Sequence, residues 1–166
     1  SSSVSAFATD LTTADSSVKV EGKYSAKLQS KKIVIKFAAG NLFIGKYLDT
    51  QKMNGILGWG RSFTSRPVAL TGYIRYTSGT VDNGGKYIEN GEQDKGQVFI
   101  ALGDWEGQTY GGETWPLIVD TRDAATFFDP KGDNVIAYGE QTWDSSTEGE
   151  NMHPFVIRLN YSLERI

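Results

Sequence analysis

The chain has 166 residues, enough for a core that folds without staples and short for two domains of ordinary size. Its apolar share of 39% and charged share of 22% are globular, and a formal charge of -3 removes the positive field that nucleic acid or anionic lipid would need, so neither is an expected partner. No Cys and a single His, His153, exclude a thiolate nucleophile, a Cys/His zinc cage and a haem attachment motif.

Residues 1–17 are crowded with Ser, Thr and Ala and carry no apolar stripe, so they read as a linker or extended lead-in. The start at Ser1 suggests a domain excised from a longer protein and attached to another domain upstream. Absence of Cys nudges the expected compartment outward. No apolar run approaches the roughly 18 residues of a membrane span, so direct membrane insertion is not expected.

From Val18 onward the apolar pattern is two-fold: Val18 and Val20, then Tyr24, Ala26 and Leu28, then Ile33, Ile35 and Phe37. This period puts alternate side chains on one face of a strand. It returns in Leu70, Gly72, Ile74 and Tyr76, in Val98, Ile100 and Leu102, and in Phe155, Ile157, Leu159, Tyr161 and Leu163. Turn-rich stretches separate these sets at 78–96, 107–112, 129–134 and 144–151. No stretch has helical spacing and no repeat has a fixed period. The expected fold is all-β: one antiparallel β-sandwich over 18–166, Ig-like or jelly roll.

The run GILGWGRSFTSRPVALTGYIRYTSG at 55–79 follows GNLFIG at 40–45 and precedes VIAYGE at 135–140. With its G-R-x-F-x-x-R-P-x-x-L-x-G-Y core at 60–73, the chain resembles the Putative carbohydrate metabolism domain family over roughly residues 19–163. That resemblance implies a jelly roll similar to carbohydrate-binding modules and sandwich glycosidases, carried on surface lipoproteins of gut bacteria. Family members continue beyond the strand at 155–163 with another strand pair, so a sheet lacking C-terminal strands, or a truncated chain, is expected.

A glycan partner needs flat rings for the C–H faces of the sugars and planar polar groups for the hydroxyls. The four Trp, at 59, 105, 115 and 143, lie out of phase with the apolar sets. Trp59, Trp105, Trp115 and Trp143 are candidate platforms, Trp115 and Trp143 the better ones because they stand in polar loop surroundings. Each has the alternative of packing against the sheet or within a loop. Arg61 and Arg66 supply forks able to bind vicinal hydroxyls or a carboxylate; the alternative is a structural ion pair. Tyr73 and Arg75 point away from the Leu70/Ile74 face and either pave a groove floor or sit on a solvated convex face.

Glycoside hydrolysis requires two carboxylates roughly 5 to 10 Å apart. The E-x-D-x-x-E signature of one jelly-roll glycosidase family is missing, because Glu92-Gln93-Asp94 is followed by Gln97. Asp104 and Glu106, with Glu113 or Glu140, are the candidate catalytic pair, against the alternative of solvated loop carboxylates. Asp82, Glu89, Asp120, Asp123, Asp129 and Asp133 could hold a structural calcium, though no EF-hand spacing occurs. No other cofactor is expected. The favoured function is non-catalytic glycan binding at the bacterial surface in polysaccharide utilisation. The alternatives are a glycoside hydrolase-like enzyme and an adhesion or structural module.

Overall fold

The computed structural model describes residues 11–33, 36–52, 54–82, 84–85 and 88–162. Among them every strand pairing is antiparallel, and the only helical element is a 3-10 turn at Ala124–Thr126. No helix among the described residues is long and apolar enough to cross a membrane. The chain divides into two compact units, each assembled from two separated segments: Ser1–Ser65 with Trp105–Gly132, and Arg66–Asp104 with Asp133–Ile166.

The first unit begins with β1 (Thr12–Asp15), inside the stretch read as a linker or extended lead-in; it is extended and pairs with β2 (Ser25–Leu28). Val18 and Val20 lie in the connection between these strands rather than on a strand, and Val20, Tyr24 and Leu28 are exposed, not core. The reason is local: Asp15 Oδ1 accepts from the Ser17 N–H and hydroxyl, and Lys19 Nζ donates to the Ser16 carbonyl. Such side-chain bonds to the nearby backbone bend the chain where periodicity alone suggests a strand. A second hairpin follows, β3 (Lys31–Ile33) with β4 (Lys36–Ala38); Ile35 lies outside the described residues.

The core of this unit is a three-stranded sheet in which β6 (Asn54–Trp59) runs between β5 (Gly45–Gln51) and β11 (Leu117–Asp120). Ile56, 1% exposed, and Val119, 5%, are buried on it. A hairpin of β9 (Gln108–Tyr110) and β10 (Glu113–Trp115) adds Trp115 to the core, at 7% exposure. Tyr110 pairs with Glu113 across Gly111 and Gly112, both at positive φ, as a two-residue hairpin loop requires. The stretch at 107–112, read from sequence as a connection, is therefore mostly strand and tight turn.

The second unit holds two sheets. In one, β12 (Val135–Trp143) runs between β8 (Gly96–Gly103) and β14 (Asn160–Tyr161); in the other, β7 (Ala69–Ile74) pairs with β13 (His153–Arg158). Leu70 faces Ile157 and Gly72 faces Phe155, so the two apolar sets share one face as their alternation implies. Ile157 and Leu159 are 3% and 7% exposed, and Ala137 of β12 is 1% exposed. Thr71, Tyr73, Pro154, Val156 and Arg158 are the exposed alternates. The Leu159 N–H continues the ladder to the Val68 carbonyl, and the Tyr161 hydroxyl donates to the Pro67 carbonyl. Leu163 lies outside the described residues.

Candidate functional site

The segment that carries the family-like core motif leaves β6 at Trp59 and passes the end of β10. Gly58 sets the geometry: a Cβ there would come within 2.4 Å of the Trp115 indole, so the ring lies directly on the bare strand backbone. Arg61 places its Cζ 5.1 Å from the Trp115 ring centroid. A cation over an indole at an exposed site is worth about 0.5–1 kcal/mol, and it orders a side chain that would otherwise sample many rotamers. Arg61 stays exposed, with no ion pair among the described residues, so its guanidinium keeps donors for a ligand.

Arg61 opens onto a surface depression of ≈ 370 Å³, lined also by Gly60, Ser62, Glu113, Thr114, Trp115 and Pro116. Lys46 of β5 forms a salt bridge with Glu113 and so fixes one acceptor at the rim. The Thr114 hydroxyl is 3.0 Å from that of Thr109 on the facing strand. The depression thus brings together a stacked fork, a carboxylate, hydroxyls, and the indole and proline rings beside them.

The hairpin that supplies half of these groups is held by a polar network on β5. Asp49 Oδ2 accepts from the Tyr110 hydroxyl and Gln51 Nε2, each at 2.6 Å, and Asp49 Oδ1 accepts from the Thr50 N–H. The Tyr110 and Gln51 hydrogen bonds, in that order, lower the Asp49 carboxyl below its ordinary value. The same bond from Asp49 raises the Tyr110 phenol. Arg122 grips Asp120 with Nε and Nη2, and those side-chain bonds, joined by the Arg122 N–H, hold the Asp120 carboxyl at about 2. In the second unit burial works against ionisation of Asp94, yet bonds from Tyr76, Gly79 and Ser78 still lower it. Asp49, Asp94 and Asp120 are thus held ionised, as hydrogen-bond acceptors rather than proton donors.

The sequence-derived candidates fall in both units. Trp59, Arg61, Trp105 and Glu106 belong to the first; Arg66, Tyr73, Asp104 and Trp143 belong to the second. Trp59 is half-buried and stacks on Phe43 at 5.8 Å. Trp105 meets Phe128 edge-on at 6.4 Å, and Trp143, at the end of β12, meets Phe155 edge-on at 5.8 Å. Trp115, expected in polar loop surroundings, is instead a core residue, because Gly58 and the hairpin enclose it. Arg66 is exposed and has no ion pair among the described residues. Tyr73 is 45% exposed on β7.

Asp104 and Glu106 are both exposed. Glu140 accepts from the Tyr138 hydroxyl at 2.6 Å and from Gln97 at 3.1 Å. Among the described residues no three His, Cys, Asp or Glu side chains gather where they could hold a metal ion. Of the calcium candidates, Asp120 is held by Arg122, Asp123 accepts the Ala125 N–H, and Asp129 accepts the Lys131 N–H. Asp82, Glu89 and Asp133 are exposed. Ser62, Thr114 and Pro116 were not singled out by sequence; the available signal is Gly111-Gly112, which marks the hairpin that carries Thr114 to the rim.

No curated protein and no solved structure matches the chain. A family model does: the Putative carbohydrate metabolism domain matches residues 2–165, and the chain belongs to that family.

Proposed function

We propose that the chain is a non-catalytic glycan-binding module, and that the depression beside Arg61 is where a sugar is held. The observation that carries this reading is the Arg61 guanidinium laid over Trp115 at the mouth of a rim bearing Glu113, Ser62 and Thr114. Stacking fixes the fork in one plane, so less rotamer entropy is lost when it grips two vicinal hydroxyls. The Lys46–Glu113 pair presents an acceptor already ordered. Membership of a carbohydrate metabolism family supports a glycan as the ligand class. In this reading the fold is an antiparallel β-sandwich of the jelly-roll kind, and the module works outside the cell or at the cell surface in polysaccharide utilisation.

The test is a glycan array on the whole chain, followed by titration calorimetry on the hits and chromatography of each mixture for released sugars. Binding without release, weakened in Arg61→Lys and Arg61→Ala with the melting temperature within a few degrees of the parent, is expected, because Lys keeps the charge and loses the fork. New reducing ends would overturn the non-catalytic reading. Unchanged affinity in Arg61→Ala would remove the depression as the site.

A further inference from the structure

We propose that the outward face of the β7–β13 sheet is a second polysaccharide surface, selective for extended acidic chains. It rests on the glycan-binding reading above but uses none of the residues of the depression. In register, Tyr73 lies opposite Pro154 and Thr71 opposite Val156, and these four side chains point away from the buried Ile157 and Leu159. Tyr73 and Val156 are 45% and 58% exposed, an apolar strip with a ring free to take a sugar face. Arg158 sits at one end, opposite Ala69, and Arg75 follows at the other, where its Nη1 donates to the Glu150 carbonyl.

Six residue steps lead from Ala69, opposite Arg158, to Arg75, so the backbone positions of the two arginines bracket about 20 Å of chain. Neither forms an ion pair among the described residues, and the strands place no carboxylate on this face. On a chain of net charge -3, two guanidinium groups at the ends of strands that carry no carboxylate are a local reversal of sign. An extended uronate or sulfated polysaccharide complements that arrangement: ring stacking in the middle and bidentate anion contacts at the ends. Two cations on a negatively charged chain are too few for an anionic bilayer or a nucleic-acid backbone, each of which needs a broad positive field.

The experiment measures binding of the whole chain to polygalacturonate, to a neutral glycan taken from the array hits, to anionic vesicles and to single-stranded RNA, at low and high salt. Polygalacturonate binding that weakens with salt, falls about tenfold or more in Arg75→Ala/Arg158→Ala, falls in Tyr73→Ala and persists in Arg61→Ala supports the proposal. All four positions are exposed, so melting temperatures should stay within a few degrees of the parent and keep the comparison clean. If polygalacturonate binding is lost only in Arg61→Ala, or is indifferent to salt, the face is overturned while the depression stands. If vesicles or RNA bind more tightly than polygalacturonate, the ligand class is overturned. If the neutral glycan binds through Arg61 and polygalacturonate does not bind, only the second surface falls. If no glycan binds, both readings fall together.

Discussion

The Tyr110 hydroxyl donates a 2.6 Å hydrogen bond to Asp49 Oδ2 and so ties the end of β9 to β5 across 61 residues of chain. Lys46 and Glu113 make a second tie between the same strand and the same hairpin. Arg61 stacks on the indole that ends this hairpin, so anything that loosens the tie moves the lining of the depression.

That tie makes stability depend on acid in a defined direction. The Asp49 carboxyl lies below its ordinary value of 3.8 in the folded protein, so the folded state binds its proton more weakly than the unfolded chain does. Its contribution is complete above the unfolded value and is lost as pH falls through the folded one. Melting temperatures followed from about pH 5 to pH 2 should drop further in the parent than in Asp49→Asn, Asp120 contributing equally to both. Parallel curves would remove Asp49 from the account.

Alkali should act through two phenols in the second unit. Tyr76 is pushed up to about 12, first by burial and then by its bond to Asp94; Tyr138 reaches about 12 by burial and its bond to Glu140. A raised folded value means stability that is present below the unfolded value of 10 and is lost as pH rises toward 12. In a spectrophotometric titration of the native protein, these two phenols should ionise late, with Tyr110, which its bond to Asp49 also raises, ionising above the ordinary value. Tyr76→Phe and Tyr138→Phe should each remove one equivalent from that late phase, and a single tyrosine wave centred near 10 would contradict the assignment.

Gly58→Ala should destabilise the first unit by about 1–3 kcal/mol, the usual range for overpacking, because the new methyl group meets the Trp115 ring and the strand beneath cannot recede. Urea unfolding with intrinsic fluorescence reads both the stability and the displaced indole. A variant with parent stability and an unshifted emission would mean that Trp115 does not rest on that strand.

The two faces of β13 and its continuation predict opposite outcomes. Leu159→Ala, at a position 7% exposed, should cost about 2–5 kcal/mol through lost burial and a residual cavity. Val156→Ala, on the exposed face, should stay within about 0.5 kcal/mol of the parent. Chemical denaturation of the pair decides it, and comparable costs would mean that the strand is buried on both sides.

Legibility in the sequence follows the range of the interaction. Leu70, Gly72 and Ile74, and Phe155, Ile157 and Leu159, were readable because a half-buried strand writes its burial at every second residue. Val18 and Val20 share that spacing and form no strand, since the Asp15 and Lys19 side chains bond the local backbone. Trp115 looked like a loop ring because its neighbours are Thr114 and Pro116; its burial comes from Gly58, far upstream, and only a glycine inside an apolar strand hints at it. The Asp49–Tyr110 bond has no local signature at all.

The interleaving of the two units bears on how the chain comes to be folded. Strand β6 acquires one neighbour, β5, at once, but its other neighbour, β11, is separated from it by β7, β8, β9 and β10. Likewise β7 finds its partner only in β13, after the chain has returned to complete the first unit. A nascent chain therefore carries a half-clothed β6 and a solitary β7 until late in synthesis, and their unpaired edges await partners encoded many codons downstream. No single cut liberates either unit whole, so the heritable piece, the one that duplication or fusion could move between proteins, is the entire interwoven stretch.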